Sequence, residues 1–82
     1  MEALTERQLE VTVLVAEGLT NIEIGRDLGI EASSVKSHIE VACKKMRARN
    51  RAHLVHLAHR AGYFRRGADG VQSRDTTGSR AL

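Results

Sequence analysis

Between Thr20 and Val35 the chain has room for one short helix, a glycine turn and the start of a longer helix, and for little else. Thr20-Asn21-Ile22-Glu23 carries the capping-box spacing, in which the threonine hydroxyl accepts the backbone N–H three residues on and the glutamate reaches back. The helix this starts runs to Leu28, where Gly29 supplies a stop, because glycine enters the left-handed conformation that closes a helix without a Cβ penalty. Ile24 and Leu28 fall four apart on its buried side. Gly25 sits inside this helix, at a cost of about 1 kcal/mol relative to alanine. A second helix crossing closely at that point would explain it; plain tolerance of a weak position is the alternative.

The flanking segments read as helices too. Thr5-Glu6-Arg7-Gln8 repeats the capping box, Leu4 is placed to staple onto Leu9, and Gln8, Val11, Thr12 and Val15 share a face up to the stop at Gly18. A third helix is expected from Ala32 to about Ala48, with Val35, Ile39, Ala42 and Met46 as its apolar stripe and Ser33, Ser34, Lys36, Ser37 and Glu40 opposite. Asn50 can cap a fourth, Arg51 to Ala61, closed by Gly62. That helix shows two apolar rows, Leu54-Leu57-Ala61 and Val55-Ala58, which is more than one small core requires. One row is therefore free to face a second copy. The predicted fold is all-α: a four-helix bundle over residues 1–66, followed by a disordered, Gly/Ser/Thr/Asp-rich tail over 67–82.

Composition narrows the partners. A chain of 82 residues buries only roughly 60% of its unfolded surface, and with one Tyr, one Phe and no Trp its core must be aliphatic. No apolar stretch is long enough to cross a bilayer and the N-terminus lacks a signal peptide's pattern, so a cytoplasmic protein with no membrane partner is expected. The single cysteine, Cys43, fits a reducing compartment. Charge is distributed unevenly: residues 1–35 hold seven acidic groups against two basic, and residues 36–66 hold nine basic against Glu40 alone. A positive half on a small domain suits an anionic polymer or surface, although a merely solvated basic face has the same composition.

The short helix, glycine turn and longer helix make a helix-turn-helix pattern. Gly25 stands where the helices touch, Gly29 at the turn, and Ile24, Leu28, Ile30 and Val35 as anchors. In such a unit the first helix braces the second, whose outer face enters the roughly 12 Å major groove of DNA. The run Leu4-Thr5-Glu6-Arg7-Gln8, Glu10-Val11, Leu14 to Gly25, Leu28-Gly29-Ile30, Ser34 to Ile39 and Arg49-Asn50-Arg51 resembles the LuxR-type (GerE-type) DNA-binding domain over about residues 4–64. The resemblance implies a third helix that reads the major groove and a fourth that pairs two copies. By position it implies base contacts from Ser34, Lys36, Ser37 and Glu40. Phosphate contacts would come from Thr20, Asn21, Lys44, Lys45 and Arg51, and a dimer interface from His53, Leu54, Leu57 and Ala61. The expected function is that of a dimeric, sequence-specific transcription regulator on a pseudo-palindromic site of double-stranded DNA.

The chain departs from the family's pattern at four places. Glu6 stands in place of a usual Pro, Glu31 in place of a frequent capping Ser, Arg47-Ala48 in place of a common Gly-Val pair, and Glu40 puts a negative charge on the expected DNA face. Members often carry a receiver or ligand-binding domain ahead of this module, so the chain is expected to be either a stand-alone regulator, toward which Met1 leans, or a fragment.

Other chemistries find less support. His53, His56 and His59 repeat every three residues, so only neighbouring pairs share a face; without an acidic or Cys ligand nearby they read as surface or dimer-contact residues, and no metal or cofactor is expected. Cys43 beside the apolar stripe reads as a small core residue. Ser33, Ser34 and His38 lie on one helix with no orienting acid or oxyanion hole, so no enzyme is expected. The competing reading is a protein-interaction module that reuses the fold to grip RNA polymerase or another regulator.

Overall fold

Both capping boxes form. Thr5 accepts the Gln8 N–H at 3.2 Å and donates its own N–H to Gln8 Oε1 at 2.9 Å; Thr20 and Glu23 exchange the same pair at 3.2 and 2.8 Å. They open α1 (Glu6–Ala16) and α2 (Asn21–Leu28), which precede α3 (Ala32–Met46) and α4 (Arg51–Arg60) in the computed structural model. The structure describes residues 2–64, and among these there is no strand. The expected tail, 67–82, lies outside the described residues.

The apolar stripe of α3 is the centre of the core. Val35, Ile39, Ala42 and Met46 are all buried, and they pack with Val11 and Leu14 of α1, Ile24 of α2 and Leu54 of α4. Helices α1 and α3 each touch the other three, whereas α2 and α4 do not meet as elements. The buried polar groups of α1 are both satisfied: Thr12 Oγ1 donates to the Gln8 carbonyl at 2.7 Å, and Gln8 Oε1 accepts from the Thr5 N–H and from Lys45 Nζ. The N-terminal strap is held at both sides, with the Glu2 N–H on the Lys45 carbonyl at 3.2 Å and the Leu4 N–H on Tyr63 Oη at 3.0 Å.

Three boundaries and contacts differ from expectation. Helix α3 stops at Met46, because Arg47 turns left-handed at φ 59° and the Ala48 N–H returns to the Cys43 carbonyl at 2.8 Å. A non-glycine residue there carries strain of about 1 kcal/mol or somewhat more; Ala48, packed against the core, holds the turn. Helix α4 stops at Arg60, with Ala61 as its cap and Gly62 at φ 87°. The neighbour that crowds Gly25 is the turn backbone, not a crossing helix. A Cβ there would stand 2.6 Å from the Ile30 carbonyl oxygen and 3.4 Å from the Ala32 nitrogen. The Gly25 carbonyl in turn accepts the Ile30 N–H at 2.9 Å.

Gly25→Ala is therefore expected to destabilise the domain by about 1–3 kcal/mol, the range typical of forced overpacking, although the same change gains about 1 kcal/mol in an open helix. Urea denaturation followed by circular dichroism measures the sign.

Candidate nucleic-acid interface

The face of α3 opposite its buried stripe stays in solvent. Ser33, Lys36, Ser37, Glu40 and Lys44 are exposed, and Ser34 is half-buried at the rim. Among the described residues neither the Lys36 nor the Lys44 side chain enters an ion pair or hydrogen bond. The cap of α3 is as sparse as Glu31 implied: its side chain makes no capping bond, and the first turn rests on the Glu31 carbonyl, which accepts from Ser34 and Val35 at 3.0 and 3.1 Å.

A second polar group gathers at the start of α2. Arg51, the first residue of α4, reaches across to donate to Asn21 Oδ1 at 2.9 Å and to the Leu19 carbonyl at 3.3 Å. This joins Thr20, Asn21 and Arg51 in one exposed cluster, across the gap that packing leaves between α2 and α4. The Asn21 amide nitrogen, whose carbonyl partner is occupied by Arg51, keeps both of its protons for an outside acceptor.

Lys45 is placed differently from its neighbour. Its Nζ donates to Gln8 Oε1 at 2.9 Å and to the Ala3 carbonyl at 3.4 Å, so it ties the end of α3 to the start of α1. The phosphate contact expected for it beside Lys44 is left to the one ammonium proton those two bonds do not use.

On α4 one expectation is corrected. Leu54 is 0% exposed and belongs to the core, so it offers no surface to a second copy. The row that packs inward is Leu54-Ala58, four apart, not one of the two rows drawn from the sequence. Leu57 is half-buried and leans on the core, His53 is half-buried, and Ala61 is exposed. His53 Nδ1 accepts the Arg49 N–H at 3.0 Å, which ties the ring to the loop ahead of α4. Its ring lies 6.3 Å from that of His56, nearly parallel at 18°.

Two features went unread in the sequence. Val41 is 41% exposed on the outward side of α3, and Ile22 is 59% exposed on α2. Spacing held the signal for Val41, which is four residues from Ser37 and off the stripe of Val35, Ile39, Ala42 and Met46. Burial pushes the Cys43 thiol above its ordinary range, with nearby Arg51 opposing the shift and Glu40 adding to it. Its thiolate fraction at neutral pH is thereby reduced, which fits a packing residue. Among the described residues no group of His, Cys, Asp and Glu could hold a metal ion, and no helix is long and apolar enough to cross a membrane.

The pattern described as bacterial regulatory proteins, luxR family, matches residues 2–58. The chain belongs to the luxR family. Within that family it is 44% identical over 59 residues to the transcriptional regulatory protein LiaR of Bacillus subtilis, an alignment covering 72% of this chain and 28% of LiaR. The transcriptional activator RamA of Corynebacterium glutamicum is 39% identical over 59 residues, covering 72% of this chain and 21% of RamA. The nitrate/nitrite response regulator NarL of Escherichia coli is 36% identical over 61 residues, covering 74% of this chain and 28% of NarL. The chain thus corresponds to about a quarter of the length of these luxR-family relatives. The matched module is regulatory, not enzymatic.

The two adjacent lysines separate these roles experimentally. Lys45→Ala is expected to lower unfolding free energy by about 1 kcal/mol, the worth of a typical net hydrogen bond, whereas Lys44→Ala should stay within about 0.5 kcal/mol as a surface change. Thermal and urea denaturation of the two variants would compare them, and equal stabilities would remove the strut assigned to Lys45.

Proposed function

We propose that the chain is a sequence-specific DNA-binding transcription regulator that lays α3 in the major groove and pairs with a second copy through α4. The observation that carries this reading is the division of α3 into a fully buried stripe and an outward polar face whose two lysines have no internal partner. A rigid rod with such a face, braced from behind by α2, has the form that groove reading requires.

In this reading Lys36, Ser37 and Glu40 meet base edges, with Ser34 at the rim. Lysine suits the acceptors of guanine, and glutamate can accept from the amino group of cytosine. Thr20, Asn21, Arg51 and Lys44 hold phosphates, which fixes register without reading sequence. Lys45, which spends two of its three protons on Gln8 Oε1 and the Ala3 carbonyl, keeps one for a phosphate beside Lys44. Pairing of copies rests on His53, Leu57 and Ala61, with Leu54 supporting that helix from inside. A dimer with two-fold symmetry would favour half-sites about 10 base pairs apart, one helical turn. Action inside the cytoplasm follows from the target.

Selection of a binding site from random duplexes, followed by shift assays across a salt series, tests the proposal. Lys36→Ala is expected to weaken binding by about 1–3 kcal/mol and to relax preference at one position. Lys44→Ala should weaken all sequences alike and flatten the slope of log K against log salt by about 0.9. Loss of equal size on every duplex for Lys36→Ala would reassign it to the backbone. For the pairing, Ala61→Glu should abolish cooperative binding to a duplex with two half-sites in shift assays, while single half-site affinity and the helical signal stay unchanged; unaltered cooperativity would move the interface off α4.

A further inference from the structure

We infer that Val41 is a specificity-determining residue that reads the C5-methyl group of a thymine, a role resting on the proposed docking of α3 in the major groove. Val41 is 41% exposed, whereas the apolar residues of α3 that serve the fold, Val35, Ile39, Ala42 and Met46, are at most 7% exposed. It therefore contributes little to the core. It stands four residues beyond Ser37 and three before Lys44, in one row along the outward face, with Glu40 beside it.

Helix propensity gives no reason for valine there, since a β-branched side chain is a weaker helix former than Ala, Lys or Glu. The same branching leaves one strongly preferred χ1 rotamer in a helix, so its two methyls project from α3 in a nearly fixed direction. A fixed apolar knob amid Ser37, Glu40 and Lys44 is too small for a protein-binding patch and cannot bond a phosphate. Of the groups displayed in the major groove, only the thymine methyl is apolar, and it is the natural partner of such a knob. Val41 lies about 6 Å further along the helix axis than Ser37, so the thymine would be a different base pair from the one Ser37 meets.

Duplexes in which each thymine of the selected site is replaced singly by deoxyuridine, which lacks only the methyl group, test the assignment on the full chain. Wild-type protein is expected to lose roughly three- to fivefold in affinity at one thymine per bound copy, the factor that burial of a methyl-sized group corresponds to. Val41→Ala should show that same loss on the thymine duplex, no further loss on the uracil one, and an unchanged salt slope. Circular dichroism should find the variant folded, since the position is exposed and alanine favours helix. Undiminished affinity of Val41→Ala, or a uracil response identical to wild type at every position, would overturn the inference while leaving groove reading intact. A wild-type protein that selects no preferred sequence would overturn the docking of α3 and this inference with it.

Discussion

Backbone meets backbone at the turn between α2 and α3, and the orientation of the outward face depends on that contact. The Ile30 carbonyl oxygen approaches Gly25 so closely that a Cβ would lie 2.6 Å away, while the Gly25 carbonyl accepts the Ile30 N–H at 2.9 Å. Steric contact and hydrogen bond together leave α3 little freedom to tilt relative to α2. The stripe of α3 then fills the space between α1, α2 and α4, which fixes the rotation of the helix about its own axis. With tilt and rotation both set, the side chains at positions 36, 37, 40, 41 and 44 point outward as a consequence of packing, and none of them has to be held by a bond of its own.

The charge separation along the chain follows the same division of labour. Acidic groups predominate on α1 and α2, and basic groups on α3, α4 and the loop between them. Lys45 is consumed as a strut for the N-terminal segment and Arg51 as a bridge to α2. Arg51 nevertheless keeps its charge at the surface, and by holding Asn21 Oδ1 it directs that amide outward as a donor. A residue can thus be internally bonded and still shape an electrostatic surface, because a hydrogen bond to a neutral acceptor redirects a cation without neutralising it.

Local rules made most of the helices legible in advance. Two capping boxes, the glycine at 29 and the asparagine at 50 act within a few residues of themselves, and the structure reproduces each of them. The stripe of α3 was legible for the same reason, since a 3.6-residue period survives any choice of neighbours. What escaped was set by tertiary packing. The two apolar rows of α4 differ little in sequence, and only the position of α1 and α3 decides that Leu54 and Ala58 turn inward. Lys44 and Lys45 are chemically alike, and the distinction between a free lysine and a strut arises from Gln8 and Ala3, some forty residues away along the chain. Gly25 reads in sequence either as a point of close approach or as a tolerated weak position, and that the turn backbone crowds it depends on a loop geometry that composition does not encode. Resemblance to the family supplied positions for DNA contact and pairing, and it could not say which of those side chains the domain had already used.

The burial of Leu54 bears on how two copies would meet. A helix of ten residues such as α4 is about 15 Å long, and with Leu54 and Ala58 committed to the core it offers a narrow strip to a partner. Stable association between proteins ordinarily buries about 800 Å² on each side, more than such a strip supplies by itself. Pairing through α4 alone is therefore expected to be weak in free solution and to strengthen on DNA, where two adjacent half-sites raise the effective concentration of one copy for the other. Occupancy would then rise steeply with protein concentration, and the affinity of a single copy for a half-site would remain low. In a domain this small, surface spent on the core cannot also be spent on the dimer, so in the proposed pairing cooperativity on the duplex would take the place of a large interface.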